Sequence, residues 1–241
     1  MLDSLHLVYL GVFLRWLNFI LKERGPFTIN NDDLEGISRD LLDMKQWCPV
    51  EFKRKPRELK RAGNHLRGKE LRRILLYDGL KAFRRNMPEN LFKNYLLLHC
   101  AMYILTSPHL YQLYNTVAND LLREFVLHAK RIFGRHFVVY NVHSLIHISS
   151  ECLMKHRALD ELSTFKYERY LKDIRSTLQS GYRPLQQLAD RFQETGGHLI
   201  KPKEIRDPDV AVLSRPHQMD EEIDGAQFQE MKYKKLTLAL K

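Results

Sequence analysis

The fold is decided by the stretch DSLHLVYLGVFLRWLNFILK, which occupies residues 3–22. Its spacing of apolar residues predicts a helix over residues 4–22. Asp3 or Ser4 is the candidate N-cap, because short polar side chains accept hydrogen bonds from the first free N–H groups of a helix. Gly25 and Pro26 follow and are expected to end it.

Residues 5–21 of this stretch are apolar enough to resemble a signal sequence or a membrane anchor. However, they include His6, Arg15 and Asn18, and charged residues inside a membrane span are costly. Asp3 also stands where a signal peptide normally carries positive charge. We therefore expect no membrane partner. A protein anchored at the membrane surface through residues 5–21 stays open as the weakest of three functional hypotheses, after the two given at the end of this subsection.

The rest of the chain up to residue 196 is helical in its periodicity, and none of it alternates like a strand. Together with the first helix, the pattern predicts helices at residues 4–22, 31–44, 69–83, 88–105, 108–133, 142–154, 160–180 and 183–194. The sequence thus predicts a mainly α protein, a helical bundle over residues 1–195. Residues 196–241 are expected to form a linker and an irregular or β tail, in which residues 228–240 alternate like a strand with no partner strand in view.

Composition limits the function classes. The chain has 241 residues, 44% hydrophobic and 28% charged, which is typical of a globular protein and too apolar for intrinsic disorder. Three well-separated cysteines with no CxxC pair argue against a secreted disulfide framework. We expect a reducing compartment, the nucleus or the cytoplasm.

A net charge of +10 favours a polyanionic partner such as nucleic acid. Most of the excess lies in residues 51–85, named here the basic segment, with thirteen Lys and Arg against four Asp and Glu. Pro56 and the aromatic residues Phe52 and Tyr77 are interspersed among these charges, and Pro49 lies just before them. Such a segment can neutralise a phosphate backbone, although a run of charge is more often a solvated surface. The candidate DNA-binding residues are Lys53, Arg54, Lys55, Arg57, Lys60, Arg61, Arg72 and Arg73.

Three further patterns could carry chemistry. Asp3 and His6 begin the first helix, where capping is the more frequent role of an aspartate. Glu168 lies between aromatic residues on a predicted helix, and by itself it is an ordinary surface charge. His143 and His147 lie one turn apart on one helix face and could share a zinc ion with ligands from elsewhere, although two hydrogen-bonded structural histidines are the simpler interpretation.

Taken in order, five stretches resemble the C-terminal part of CACTA-type (En/Spm-like) DDE transposases. They are DSLHLVYLGV, EFKRKPRELKRA followed by GKELRRILLYDG, NYLLLHCAMYIL, YNVHSLIHI and STFKYERYLKDIRSTLQSGYRPLQQLADR. They resemble the D-x-x-H element, the basic helical insertion, the H-x-x-x-H pair and the late F-E-R-like helix of that family. The resemblance covers about residues 1–195.

The resemblance implies an RNase-H-like core, in which three carboxylates bind two divalent cations and a helical insertion separates the second carboxylate from the third. On this basis Asp3 takes the place of the second carboxylate and Glu168 that of the last. These two would bind Mg²⁺ or Mn²⁺ in an active protein, and His6 would support them. Hard cations of this kind require oxygen ligands, and two of them can clamp a phosphoryl transfer.

The chain departs from the family in lacking an obvious counterpart of the first catalytic aspartate, and in lacking the CxxC of some relatives. The resemblance therefore implies a transposon-derived, DNA-binding fragment that resides in the nucleus and lacks strand-transfer activity alone. The alternative is a helical interaction module whose basic segment docks an acidic protein. We expect no small-molecule substrate, and homo-oligomerisation stays open.

Overall fold

The computed structural model describes residues 3–22, 25, 27–49, 52, 54–59, 66–194, 212–217, 227–233 and 236–239. The described part is mainly helical, which confirms the predicted fold class. The chain forms two compact units, Met1–Glu168 and Arg169–Lys241. The domain boundary predicted after residue 195 lies outside the described residues.

The helices lie close to where the periodicity predicts them. They are α1 (Ser4–Lys22), α2 (Asn31–Asp43), α3 (consecutive segments Gly68–Arg73, Ile74–Asp78 and Gly79–Arg84), α4 (Glu89–Thr106), α5 (Leu110–Leu113), α6 (Asn115–Phe133), α7 (Tyr140–Met154), α8 (Phe165–Thr177) and α9 (Pro184–Glu194). Short 3₁₀ turns occupy Met44–Trp47 and Arg135–Phe137.

Helix α1 is the centre of the core of the first unit. Three of its aromatic side chains, Tyr9, Phe13 and Trp16, are at most 1% exposed. Trp16 Nε1 donates to Asn94 Oδ1 of α4 at 3.0 Å, so the buried indole N–H has a hydrogen-bond partner inside the core. Among the described residues, α1 is the one helix long and apolar enough to cross a membrane, and 61% of that stretch is buried inside the protein. Such burial is that of a core helix.

Two helices contain a widened, π-type stretch, over Ser4–Phe13 in α1 and Ile74–Asp78 in α3. A glycine accompanies each one. A Cβ at Gly11 would lie 2.7 Å from the His6 carbonyl oxygen, and one at Gly79 would lie 2.6 Å from the Ile74 carbonyl oxygen. A Cβ does not fit at such distances unless the carbonyl moves, so both positions favour glycine.

Two helix predictions need correction. The helix predicted over residues 108–133 is interrupted at Tyr114, whose φ of −116° and ψ of 23° are not helical. Asn115 turns inward there and donates from Nδ2 to the Ser149 carbonyl oxygen at 3.0 Å. The helix predicted over residues 160–180 begins only at Phe165, because Asp160 and Thr164 bind partners elsewhere in the fold.

The tail forms a three-stranded antiparallel sheet in the order β1 (Val212–His217), β2 (Gln227–Tyr233) and β3 (Leu236–Ala239). The expectation of one strand without a partner is therefore wrong. The register pairs Val212 with Lys232 and Glu230 with Ala239. Pro216 pairs with Phe228, and it is tolerated because β1 is an edge strand of this sheet.

Candidate functional site

The amino ends of α1 and α8 meet at a cluster of four side chains, Asp3, His6, Thr164 and Glu168. Asp3 and Thr164 are in contact although they lie 161 positions apart in sequence. Thr164 precedes α8 immediately, and its carbonyl oxygen accepts from Glu168 N at 3.0 Å. The structure thus brings the two predicted catalytic residues, Asp3 and Glu168, into one cluster.

Asp3 accepts five hydrogen bonds. Within its own helix end, its Oδ1 accepts from Leu5 N at 3.3 Å and its Oδ2 from His6 N at 3.0 Å, which makes it the N-cap of α1. From the α8 side, Thr164 N donates to Oδ1 at 2.8 Å and Thr164 Oγ1 donates to Oδ2 at 2.7 Å. His6 Nδ1 lies 2.6 Å from the same Oδ2. The capping role favoured by the sequence is therefore present, together with a long-range contact.

This environment lowers the pKa of Asp3. Burial alone raises the pKa of the carboxyl group, but the hydrogen bonds from Thr164 and His6 act in the opposite direction and prevail. The net result is a pKa below the ordinary value of 3.8. Asp3 is consequently a carboxylate at neutral pH.

The imidazole of His6 lies between the two acidic side chains. Its Nδ1 is 2.6 Å from Asp3 Oδ2 and its Nε2 is 3.1 Å from Glu168 Oε1. A ring that carries both N–H groups can donate to both carboxylates at once. The His6 and Glu168 side chains are 59% and 49% exposed, whereas that of Asp3 is only 14% exposed, so the cluster opens to solvent on the Glu168 side.

These residues do not fit a divalent cation in this conformation. A carboxylate offers about four lone-pair sites, and Asp3 already accepts from five donors. In addition, the His6 ring stands between Asp3 and Glu168, where a shared cation would have to lie. Within the described ranges, no three His, Cys, Asp or Glu side chains are grouped as metal ligands. Binding of Mg²⁺ or Mn²⁺ by Asp3 and Glu168 stays a prediction.

Close packing behind the cluster fixes the three helix ends that meet there. A Cβ at Gly68, the first residue of α3, would lie 2.1 Å from Leu5 Cδ1 and 3.4 Å from the Phe165 ring. The Phe165 ring in turn lies 6.1 Å from the Tyr9 ring, centroid to centroid. Since Leu5 and Tyr9 belong to α1 and Phe165 to α8, the cluster rests on apolar contacts among α1, α3 and α8.

An ion pair holds the turn that leads to Thr164. The guanidinium of Arg72 on α3 donates to the Asp160 carboxylate. Nearby, Leu159 N donates to the Leu105 carbonyl oxygen at 2.8 Å, which attaches the same turn to the end of α4. Tyr9 lies beside this pair, and burial raises its pKa, with the Asp160 charge adding to the effect. Arg72 therefore has a partner inside the protein.

Two more of the predicted DNA-binding residues are also engaged internally. Arg57 donates to both carboxylate oxygens of the buried Glu70, at 2.8 and 3.2 Å. Arg73 is 4% exposed and donates from Nε to Asp78 Oδ2 at 2.6 Å, and it also donates to the Arg54 carbonyl oxygen. These bonds attach residues 54–57 to α3. A buried guanidinium with two partners holds the fold together and is not presented to DNA.

The remaining predicted DNA-binding residues divide into two groups. Arg54 and Lys55 are exposed, and Arg54 lies 3.9 Å from Glu70 Oε2. Lys53, Lys60 and Arg61 lie outside the described residues.

Sequence reasoning missed three exposed cations at the end of the basic segment. Lys81, Arg84 and Arg85 are exposed at spacings of three and four residues, which places them on one face at the end of α3. In the part of the chain that the structure describes, none of them forms an ion pair. Tyr77, 49% exposed, lies one turn earlier. Their helical spacing was visible in the sequence, but their exposure was not.

Sequence reasoning also missed Thr164. The signal was its place directly before an aromatic-rich helix, where Thr is a common N-cap. Its bonds to Asp3 depend on the tertiary fold and could not be read from the sequence.

The histidine pair lies on α7 as predicted, one turn apart. The His143 and His147 rings are exposed and their centroids are 5.4 Å apart. The three cysteines are free thiols, and Cys152, on the same helix, is fully buried with a pKa raised to about 12 by burial and the Glu151 charge. A zinc site at His143 and His147 stays a prediction, since two ligands do not close a tetrahedron.

Comparisons of the chain with protein-family models, with curated proteins and with solved structures gave no match.

Proposed function

We propose that this chain is a transposon-derived DNA-binding protein of the nucleus, a partial CACTA-type DDE transposase that does not carry out strand transfer alone. The observation that supports this most is the meeting of Asp3 and Glu168 at one imidazole, with a helical region and the basic segment between them in sequence. The resemblance implies that arrangement, in which a helical insertion separates two acidic residues of one site.

The exposed basic face is the surface that we assign to DNA. Lys81, Arg84 and Arg85 point to solvent on one helix face, and Tyr77 adds an aromatic side chain one turn earlier. Cations on one face can follow a phosphate backbone, and an aromatic ring adds a stacking surface for a splayed base. Arg57, Arg72 and Arg73 are left out of this surface because carboxylates of the protein hold them.

Charge reversal tests the assignment. Arg84→Glu with Arg85→Glu should weaken binding to a mixed-sequence DNA duplex and lower the slope of log affinity against log salt by about 2, since each lost phosphate contact accounts for about 0.9. Arg135→Glu with Arg157→Glu is the matched control, because it changes two exposed arginines outside the basic segment. The measurement is a fluorescence-anisotropy titration at four salt concentrations.

Equal losses in the two double variants would show that only net charge matters, and would contradict a specific face. Unchanged DNA binding in the Arg84 and Arg85 variant would favour the alternative of an acidic protein partner. Thermal unfolding should agree among all three proteins within about 0.5 kcal/mol, because these positions are at the surface.

A further inference from the structure

We infer that His6 takes the place of a cation between Asp3 and Glu168, so that the cluster clasps the amino end of α8 to that of α1 without a metal ion. The inference goes beyond the proposed function and does not depend on DNA binding. It concerns what joins the two acidic residues.

The first argument is the saturation of Asp3. Both oxygens of its carboxylate are occupied by donors from the protein, three of which come from backbone N–H groups of Leu5, His6 and Thr164. Backbone donors at a helix end cannot rotate away as a side chain can. A cation could therefore reach Asp3 only by breaking the cap of α1 or the bond to Thr164.

The second argument is the position of the His6 ring. Its two nitrogens face Asp3 Oδ2 and Glu168 Oε1 at 2.6 and 3.1 Å, so one planar group makes both contacts. Glu168 lies in the first turn of α8, and its other described neighbour in the cluster is Thr164, through the backbone. The link between the Glu168 side chain and α1 thus passes through the His6 ring.

Added Mn²⁺ tests whether the clasp excludes a cation, because two neighbouring carboxylates are oxygen ligands of the kind that suits Mn²⁺. Since Asp3 is saturated and the His6 ring stands between Asp3 and Glu168, we expect Mn²⁺ to leave the Tm of chelator-treated wild-type protein unchanged. In His6→Ala, Asp3 keeps the other four donors, so Mn²⁺ should leave that Tm unchanged as well.

The control variant is Glu168→Gln, which separates Mn²⁺ binding at this cluster from binding elsewhere on the protein. A saturable rise of the Tm of wild-type protein with Mn²⁺ that is absent in Glu168→Gln would overturn the inference, because it would mean that a cation binds at the cluster with the ring in place.

Amide hydrogen exchange tests the clasp itself. In Glu168→Ala, the amide of Glu168 and those that follow in the first turn of α8 should exchange about tenfold faster than in wild type, because the clasp is cut. Glu161→Ala, which changes an exposed carboxylate of the preceding turn, should leave that exchange unchanged. Equal exchange in Glu168→Ala and wild type would overturn the inference. These readouts involve no DNA, so their failure is distinct from failure of the proposed function.

Discussion

At the scale of single residues, Asp3 combines two roles that sequence reasoning treats as alternatives. Its carboxylate caps α1 locally and binds Thr164 across the fold. Both roles use hydrogen bonds to the ionised form, which is why the pKa of Asp3 lies below its ordinary value despite burial. An aspartate at a helix start is therefore not evidence for one role over the other.

The lowered pKa of Asp3 predicts a pH-dependent contribution to stability. A depressed carboxyl pKa stabilises the folded state above the unfolded-state value, ordinarily 3.8, and the contribution is lost as the pH falls through the lower folded-state pKa. Asp3→Asn keeps a capping side chain but removes the charge, so it should destabilise the protein most above about pH 5. Urea unfolding of both proteins at several pH values measures the difference in their free energies of unfolding. The neighbouring titratable groups, His6 and Glu168, are the same in both proteins.

The difference between wild type and Asp3→Asn should shrink as the pH falls below about 4. A difference independent of pH between about 2 and 6 would mean that the loss comes from the cap alone and not from the carboxylate charge.

At the scale of elements, several helix starts could be predicted because a capping residue or a proline marks them. Asp3 and Asn30 cap α1 and α2, and Pro88 precedes α4, so these starts agree with the sequence to within a residue. The start of α8 could not be predicted, since Asp160 binds Arg72 and Thr164 binds Asp3. Tertiary contacts overrode the helical pattern at that turn.

The same reasoning explains the candidate site. Asp3 and Glu168 could be proposed as site residues from the order of the stretches that resemble the transposase family. No pattern in the sequence shows that His6 lies between them or that Thr164 binds Asp3. The sequence also does not show that Arg57 and Arg73 have buried carboxylate partners. A charged residue has the same sequence pattern whether it faces water or, like Arg57, binds Glu70. Contacts across the fold are set by packing, which local periodicity does not record.

The π-type stretch of α3 predicts that Gly79→Ala destabilises the protein, which is the opposite of the usual effect of Gly→Ala in a helix. Gly→Ala in a helix interior normally stabilises by about 1 kcal/mol. At Gly79 the new Cβ would lie 2.6 Å from the Ile74 carbonyl oxygen and 2.5 Å from Tyr95 Oη, which donates to the Leu75 carbonyl oxygen. Gly79→Ala should therefore destabilise the protein by about 1–3 kcal/mol, as overpacking does.

Thermal and urea unfolding of Gly79→Ala measure this effect. Gly181→Ala is the control, because no atom lies within 4 Å of a Cβ at that position. A stabilised Gly79→Ala protein would contradict the i→i+5 geometry of this part of α3.

At the scale of the first unit, one polar residue joins three helices inside an apolar core. Asn94 on α4 is fully buried, accepts from Trp16 Nε1 of α1 at 3.0 Å, and donates to the Phe125 carbonyl oxygen of α6 at 3.2 Å. Apolar packing alone tolerates many arrangements, whereas two directional bonds at one amide specify how α1, α4 and α6 are placed. Exposed apolar side chains elsewhere do not impose such a constraint.

Replacement of Asn94 should therefore lower the free energy of unfolding by more than the size of the side chain suggests. Asn94→Leu keeps the volume but leaves the Trp16 N–H buried without an acceptor, and an unpaired buried donor costs about 1–3 kcal/mol. The double variant Trp16→Phe with Asn94→Leu removes donor and acceptor together, so part of the loss caused by Asn94→Leu should be recovered relative to the sum of the two single variants. Urea unfolding followed by far-UV circular dichroism gives the four free energies of this cycle. Strict additivity would mean that the Trp16–Asn94 bond does not contribute to stability, and that shape alone places α1 among its neighbours.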